Sequence, residues 1–263
     1  DSNNFLVADR LRGKTKYTIT NSAVAELTDN GGIAEFDLQN SFDQGLSSSA
    51  QIRYNFKRAK GFLDIVAYNG SNSAQNVSHS LGVVPEMMWI KCRSGYDENF
   101  VVYHKTLGNT KEMYLNTDGN QADSDAFNDT TPTNAVFTLG GDNVPTSKAG
   151  TPYIAYLFAT LDGISKVGTY TGNGGTQAID CGFSNGARFV MIRAVSGSEN
   201  WSVFDTERGI IAGNDPSLAL NNTAADITNQ DVIDPNSSGF TVVTNGDPET
   251  NASNTVYIFY AIA

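Results

Sequence analysis

"ENFVVYHKTLG" (residues 98–108) is an apolar run that ends in a histidine, a lysine and a glycine. The chain repeats this phrase twice, as "NNFLVADRLRG" at 3–13 and "ENWSVFDTERG" at 199–209. The apolar positions and the closing glycine recur. The residue that ends the run does not: it is Asp9, His104 and Asp205 in turn. A general base cannot be exchanged for aspartate in a sister site without a large change in its pKa. His104 therefore reads as a polar strand end rather than a catalytic base.

The phrase belongs to a longer repeat, and repeats are read before fold. "GFLDIVAYNG" (61–70) aligns with "GISKVGTYTG" (163–172), and "IKCRSG" (90–95) with "IRAVSG" (192–197). The aromatic stretches "QIRYNF" (51–56), "YIAYLF" (153–158) and "VYIFYAI" (256–262) close the units. The divisions are 1–59, 60–161 and 162–263. The first holds only the back part of a unit. It lacks the "G-F…Y-x-G" opening and the "P-E-M-M-W-I-K" strand. A half unit exposes strand edges. The expectation is a fragment of a longer polypeptide. The alternative is that strands of this chain or of a neighbour pair with residues 4–8 and 51–57.

Within a unit the apolar residues alternate, with many β-branched and aromatic side chains. The pattern predicts strands at 62–68, 86–92, 100–104, 112–116, 135–139 and 153–159, separated by Gly, Asn, Asp, Ser and Pro clusters. "NTDGNQADSDAF" and "NNTAADITNQDV" could hold at most a helical turn. The expected fold is all-β: tandem antiparallel β-sandwich, jelly-roll-like repeats of about 100 residues. The units are joined with almost no linker, which predicts a stiff rod.

Composition agrees with a turn-rich β protein. Of 263 residues 40% are hydrophobic and 17% charged, with 25 glycines. Seventeen basic residues against 28 acidic ones give a net charge of −11. That balance argues against a nucleic-acid partner, because phosphate binding needs basic surface. It offers no attraction to anionic lipid. No apolar run approaches about 18 residues, so no membrane insertion is expected. "DSNNFLVADR" has no basic segment followed by an apolar core, so no signal peptide is read.

Residues that invite a chemical reading have plainer alternatives. Cys92 and Cys181 occupy non-equivalent places in the repeat, which speaks against a disulfide framework. With His79 and His104 they have no zinc spacing, so no metal and no cofactor is predicted. His79 lies between serines, but no Gly-x-Ser-x-Gly elbow surrounds it. Asp97 with Glu98 and Asp123 with Asp125 are carboxylate pairs in loops that differ between units, and a glycosidase needs two acids facing each other. "TDGNQADSD" does not follow the EF-hand order. Asn76, Asn128 and Asn251 head N-x-S/T sequons, which matter only in a eukaryotic secreted protein. Trp201, Tyr68, Tyr170, Tyr54, Tyr156 and Tyr260 recur at repeat spacing, which marks packing. Tyr96 does not recur. In the loop "SGYDEN" Tyr96, with Asp97, is the candidate ligand-binding pair, an aromatic face beside acid and amide groups that could stack on a sugar. No catalytic residue is assigned.

"GFLDIVAYNG … HSLGVVPEMMWIKCRSG … NFVVYHKTLG … YLNT … FNDTTPTNAVFTLG … YIAYLFA", followed by "GISKVGTYTGNG", resembles a repeat of tail-fibre and other virion proteins of tailed bacteriophages, marine and cyanobacterial ones especially. "DRLRGKTKYTITNSAVAE" fits the same pattern. The third unit departs from it in "GFSNGARFVMIR", which is longer than "GVVPEMMWIK" and lacks the proline. The resemblance implies a non-enzymatic, extracellular virion structural protein. It would be a tail-fibre component with a role in host attachment, touching other virion proteins, copies of itself as a homotrimer, and a host-surface glycan or protein. A capsid decoration or head-fibre protein, and a glycan-binding or glycan-degrading surface protein, are the alternatives.

Overall fold

The structure is a computed structural model that describes residues 4–28, 33–35, 43–44, 52–141, 144–243 and 247–263. It is all-β, with no helix among the described residues, and every strand pair is antiparallel. The first unit contributes β1 (Leu6–Val7), β2 (Lys16–Ile19), β3 (Leu27–Thr28), β4 (Ile33–Glu35) and β5 (Asp43–Gln44). The second contributes β6 (Leu63–Asn69), β7 (Gln75–Ser78), β8 (Met87–Cys92), β9 (Val101–His104), β10 (Lys111–Tyr114), β11 (Ala122–Asp123), β12 (Val136–Leu139) and β13 (Pro152–Phe158). The third contributes β14 (Ser165–Thr171), β15 (Gln177–Asp180), β16 (Phe189–Ala194), β17 (Ser202–Asp205), β18 (Leu218–Ala219), β19 (Ile233–Asn236), β20 (Gly239–Val242) and β21 (Val256–Ile262).

The second unit's main sheet has the order β11-β10-β9-β8-β13-β6, with β12-β7 as a separate pair. The third unit's main sheet runs β18-β17-β16-β21-β14, with β19-β20-β15 apart. Position for position these are the same order, from β10 to β6 and from β18 to β14. The expected strands appear within a residue or two. In the second unit the sequence missed β7, which like its counterpart β15 buries a single apolar residue, Val77 or Ile179, and β11, both of whose residues are exposed.

The central strands bury both faces. Along β13, Tyr153, Ala155 and Leu157 enter the second unit's own core, with Met88, Ile90, Phe127 and Phe137. Ile154, Tyr156 and Phe158 enter a different cluster. Along β21, Tyr257, Phe259 and Ala261 line the third unit's core, and Ile258 and Tyr260 join that same shared cluster. A strand with period-two side chains can serve two cores at once. The near-continuous apolar character of "YIAYLF" follows from that.

The shared cluster draws on all three units. Phe100 and Trp201 are fully buried in it, and Phe5, their counterpart, packs against it with Val7 and Tyr54. The units also close in a ring. Arg12 donates to the Tyr156 hydroxyl at 2.7 Å, joining first to second. The Trp201 indole donates to the Tyr114 carbonyl at 2.9 Å, joining third to second. Tyr54 donates to Asp205 at 2.7 Å, and Thr20 to the Leu220 carbonyl at 2.9 Å, joining first to third. The rod expected from the short joints is therefore not what forms. The second apolar face of each central strand must leave water, and ring closure around a shared core achieves this. Gln51, part of the segment 51–57 expected to pair with a further strand, lies outside the described residues.

Candidate functional site

The position that varied in the opening phrase is a corner of this ring. Asp9 accepts from the Arg12 backbone N–H at 3.0 Å and pairs with the Arg12 guanidinium. The Tyr156 hydroxyl of the second unit donates to Asp9 at 2.8 Å. Asp205 repeats the arrangement with Arg208, and takes the Tyr54 hydroxyl of the first unit. At the third corner His104 stands for aspartate and Leu107 for arginine. His104 is fully buried beside the backbone of Phe259, one residue before Tyr260. Burial, with Lys105 nearby, lowers its pKa to about 3. Its Nδ1 accepts from the Thr106 backbone N–H at 3.2 Å, and an imidazole so enclosed has no access to a substrate. His104 is the last residue of β9, the polar strand end read from the sequence, and it is buried.

A second set of inter-unit contacts centres on two buried cations. Lys91 on β8 donates to the Ala23 carbonyl at 2.7 Å, to the Ser22 carbonyl at 3.5 Å and to the Glu98 carbonyl. Arg193, at the same place on β16, donates to Asp118 at 2.6 Å, to Gly119 at 2.7 Å and to the Glu199 carbonyl. Each cation is caged by its own unit's loop and the preceding unit's loop. Burial lowers the Lys91 pKa to about 8 and that of Arg193 to about 10, and neighbouring acids counter it in both. The signal was present in sequence as a cation at one position of "WIKC" and "MIRA", but a lone basic residue on a strand reads as a solvated face.

The outer surface holds the loop picked out in sequence. Tyr96 is 50% exposed. One side of its ring is occupied by the Lys148 ammonium, 4.3 Å from the centroid. Lys148 in turn pairs with Glu98. Asp97 accepts from the Ala25 backbone N–H at 2.9 Å, so its carboxylate ties this loop to the first unit. The loop thus brings Tyr96, Glu98 and Lys148 together at the surface, with Asp97 used in the joint. Asp123 pairs with Lys111. Asn251 is buried, with its amide donating to Gly175 and Val243, which removes it as a glycosylation acceptor.

Two grooves went unread in sequence because their walls are remote along the chain. One, of about 400 Å³, is lined by Val83, Val84, Glu86, Tyr103, Lys105 and Thr160. Glu86 is fixed there by Lys105 at 2.7 Å and the Thr160 N–H at 2.8 Å. Burial pushes its carboxyl pKa up, but these hydrogen bonds outweigh it and leave a net lowering. The other, of about 410 Å³, runs from Lys105 to Lys166, Tyr170, Asp180 and Phe259 at the junction of the second and third units. Among the described residues no His, Cys, Asp and Glu side chains cluster as a metal site. Cys92 and Cys181 are free and buried. No helix among the described residues is long and apolar enough to cross a membrane.

Residues 53–263 match a family described as a domain of unknown function, DUF7483. No curated protein and no solved structure matches the chain.

Proposed function

We propose that this chain, which belongs to the DUF7483 family of unknown function, is a virion structural protein of a tailed bacteriophage. It acts as a tail-fibre component that helps the particle attach to its host. Its fold reads as tandem jelly-roll-like β-sandwich repeats gathered around a common axis. The observation that carries this reading is the ring itself. Two complete units share one strand order, and all three give side chains to one core. Such a body is stiff because no unit can tilt without opening apolar surface. Its loops, with Tyr96 and Lys148 among them, project from that scaffold as an adhesive surface does. Weak contacts by several displayed copies add up through avidity. The reading is non-enzymatic, and beside the ring it rests on the sequence resemblance of the repeats alone.

The test is location. Antibody raised against the chain is applied to purified particles of a phage that encodes it and imaged by electron microscopy. Label on the fibres is expected, together with reduced adsorption to host cells. Label on the head would favour a decoration protein. Absence of the chain from the particles would end the virion reading.

A further inference from the structure

The second and third units treat the seam between their two sheets differently. In the second unit Asp64, on β6, closes it. The buried Asp64 carboxylate accepts from the Ser80 N–H just beyond β7 at 2.6 Å and from the Arg58 guanidinium at 2.7 Å. Val66, two residues on, packs against the second unit's core. Alignment of "GFLDIVAYNG" with "GISKVGTYTG" puts Lys166 at the place of Asp64 and Gly168 at that of Val66. Thr160 stands for Arg58, and Gly182 for Ser80. The third unit's seam therefore has neither the carboxylate nor its cation nor the valine side chain. The groove of about 410 Å³ lies there, along Lys166 and Gly168.

The charge at this place is reversed as well. Lys166 is half-buried and forms no ion pair among the described residues. Lys105 of the second unit is exposed on the same groove, with its ammonium on Glu86. An ammonium is a compact point charge, and its hydrogen bonds to ionised oxygens are about twice as strong as neutral ones. Asp180, on β15, also lines the groove and is exposed. One of its oxygens accepts from the Gly182 N–H at 2.8 Å, which leaves the other to accept from a hydroxyl. A bare inorganic anion would meet Asp180 as a like charge. A sugar acid offers its carboxylate to the lysines and its hydroxyls to the aspartate. The volume falls within the range of small-ligand sites, about 300–1,000 Å³.

We propose that this groove, at the junction of the second and third units, binds a carboxylate-bearing sugar. The carboxylate pairs with Lys166 and, beside Glu86, with Lys105. It supplies from outside the acid that the second unit supplies from Asp64. A ring hydroxyl donates to Asp180. The absence of a side chain on Gly168 leaves the floor of the groove open to the sugar ring. The choice of a sugar over other organic acids rests on the attachment reading, which it deepens by naming the class of ligand. A single groove with two lysines holds its ligand weakly, and several displayed copies raise the strength of the whole.

Trigalacturonic acid, its methyl ester and inorganic phosphate are titrated into the full chain and followed by calorimetry and backbone amide NMR. Sialyllactose against lactose repeats the comparison with an acid of another skeleton. Saturable one-to-one binding of at least one acid is expected at millimolar concentration or below, with amide shifts at 166–170 and 178–180. The uncharged counterpart of that acid should bind about tenfold or more weakly, the loss expected for charge-assisted hydrogen bonds. Lys166→Asp, which restores the second unit's residue, should weaken binding to the same degree. If that variant does not fold, Lys166→Gln makes the same test. No saturable binding by either acid, an uncharged counterpart that binds as well, unchanged affinity in the Lys166 variant, or equal binding of inorganic phosphate would overturn the proposal. Label on the fibres together with such a failure would strike the ligand and leave the attachment reading standing.

Discussion

Gly168 faces Phe259 across the β14–β21 ladder, and a Cβ on Gly168 would lie 2.3 Å from the phenyl ring. The second unit meets the same need the other way round, with Val66 opposite Ala155. Bulk has moved from one strand to its partner while the pair still fills the space, as close packing requires. Gly168→Val alone should destabilise by about 1–3 kcal/mol through overpacking, and Phe259→Ala in the same chain should recover part of that. Urea unfolding of the two single variants and the double variant measures it, and strict additivity would contradict the compensation. His104 gives a second residue-level outcome. Its folded pKa is lowered from 6.5 to about 3, first by burial and then by Lys105. Between those values the unfolded chain takes up a proton that the folded chain refuses. The stability that neutral His104 supplies is thus complete above about pH 6.5 and falls as the pH drops toward 3, by up to about 1.4 kcal/mol per pH unit. His104→Leu should flatten that part of the profile when unfolding is followed from pH 7 to pH 4. Equal slopes in the two proteins would show that the imidazole protonates as readily folded as unfolded.

At the scale of the element, β8 and β16 are held by their ladders and by the cations they insert into the neighbouring unit. Lys91→Met should cost about 1–3 kcal/mol, because the carbonyls of Ala23, Ser22 and Glu98 lose their donor. Lys91→Arg copies the third unit and should retain most of the stability, with urea midpoints as the readout. The strands were legible in sequence because period-two burial is a local property. So was the repeat, because the same positions must be refilled with similar side chains in each unit. The ring was not legible. Its contacts join residues more than a hundred positions apart, such as Arg12 with Tyr156 and Tyr54 with Asp205. The three-way variation Asp9, His104, Asp205 was its one trace in sequence. It shows a position free to change as long as the residue three positions on changes with it, while the residue across the two aspartate joints stays tyrosine. Arg12 and Arg208 accompany the aspartates, and Leu107 accompanies the histidine. Of the candidate loop, the exposure of Tyr96 followed from its not recurring. The use of Asp97 in a joint did not, because nothing in "SGYDEN" shows that Ala25 lies above it.

At the scale of the molecule, a rod of independent sandwiches and a ring around a shared core make opposite demands on a single unit. In a rod, residues 60–161 carry everything needed to fold. In the ring, one face of the β8–β9–β13 sheet relies on its neighbours. Phe100, Val102, Met113, Leu115, Ile154 and Tyr156 all enter the shared core and would meet water in an isolated unit. Burying a large apolar side chain is worth about 1.5–3 kcal/mol, so exposing six of them approaches the whole stability of a small domain. Residues 60–161 expressed alone should therefore not persist as a folded monomer. Because that sheet face is shaped to meet two others like it, self-association into a closed ring is the favourable way to cover it. Sedimentation with far-ultraviolet circular dichroism over a dilution series distinguishes the cases. β structure that disappears on dilution fits a unit dependent on its neighbours. A dispersed, concentration-independent monomer would show that the shared core is dispensable, and the scaffold argument for the whole chain would lose its physical basis.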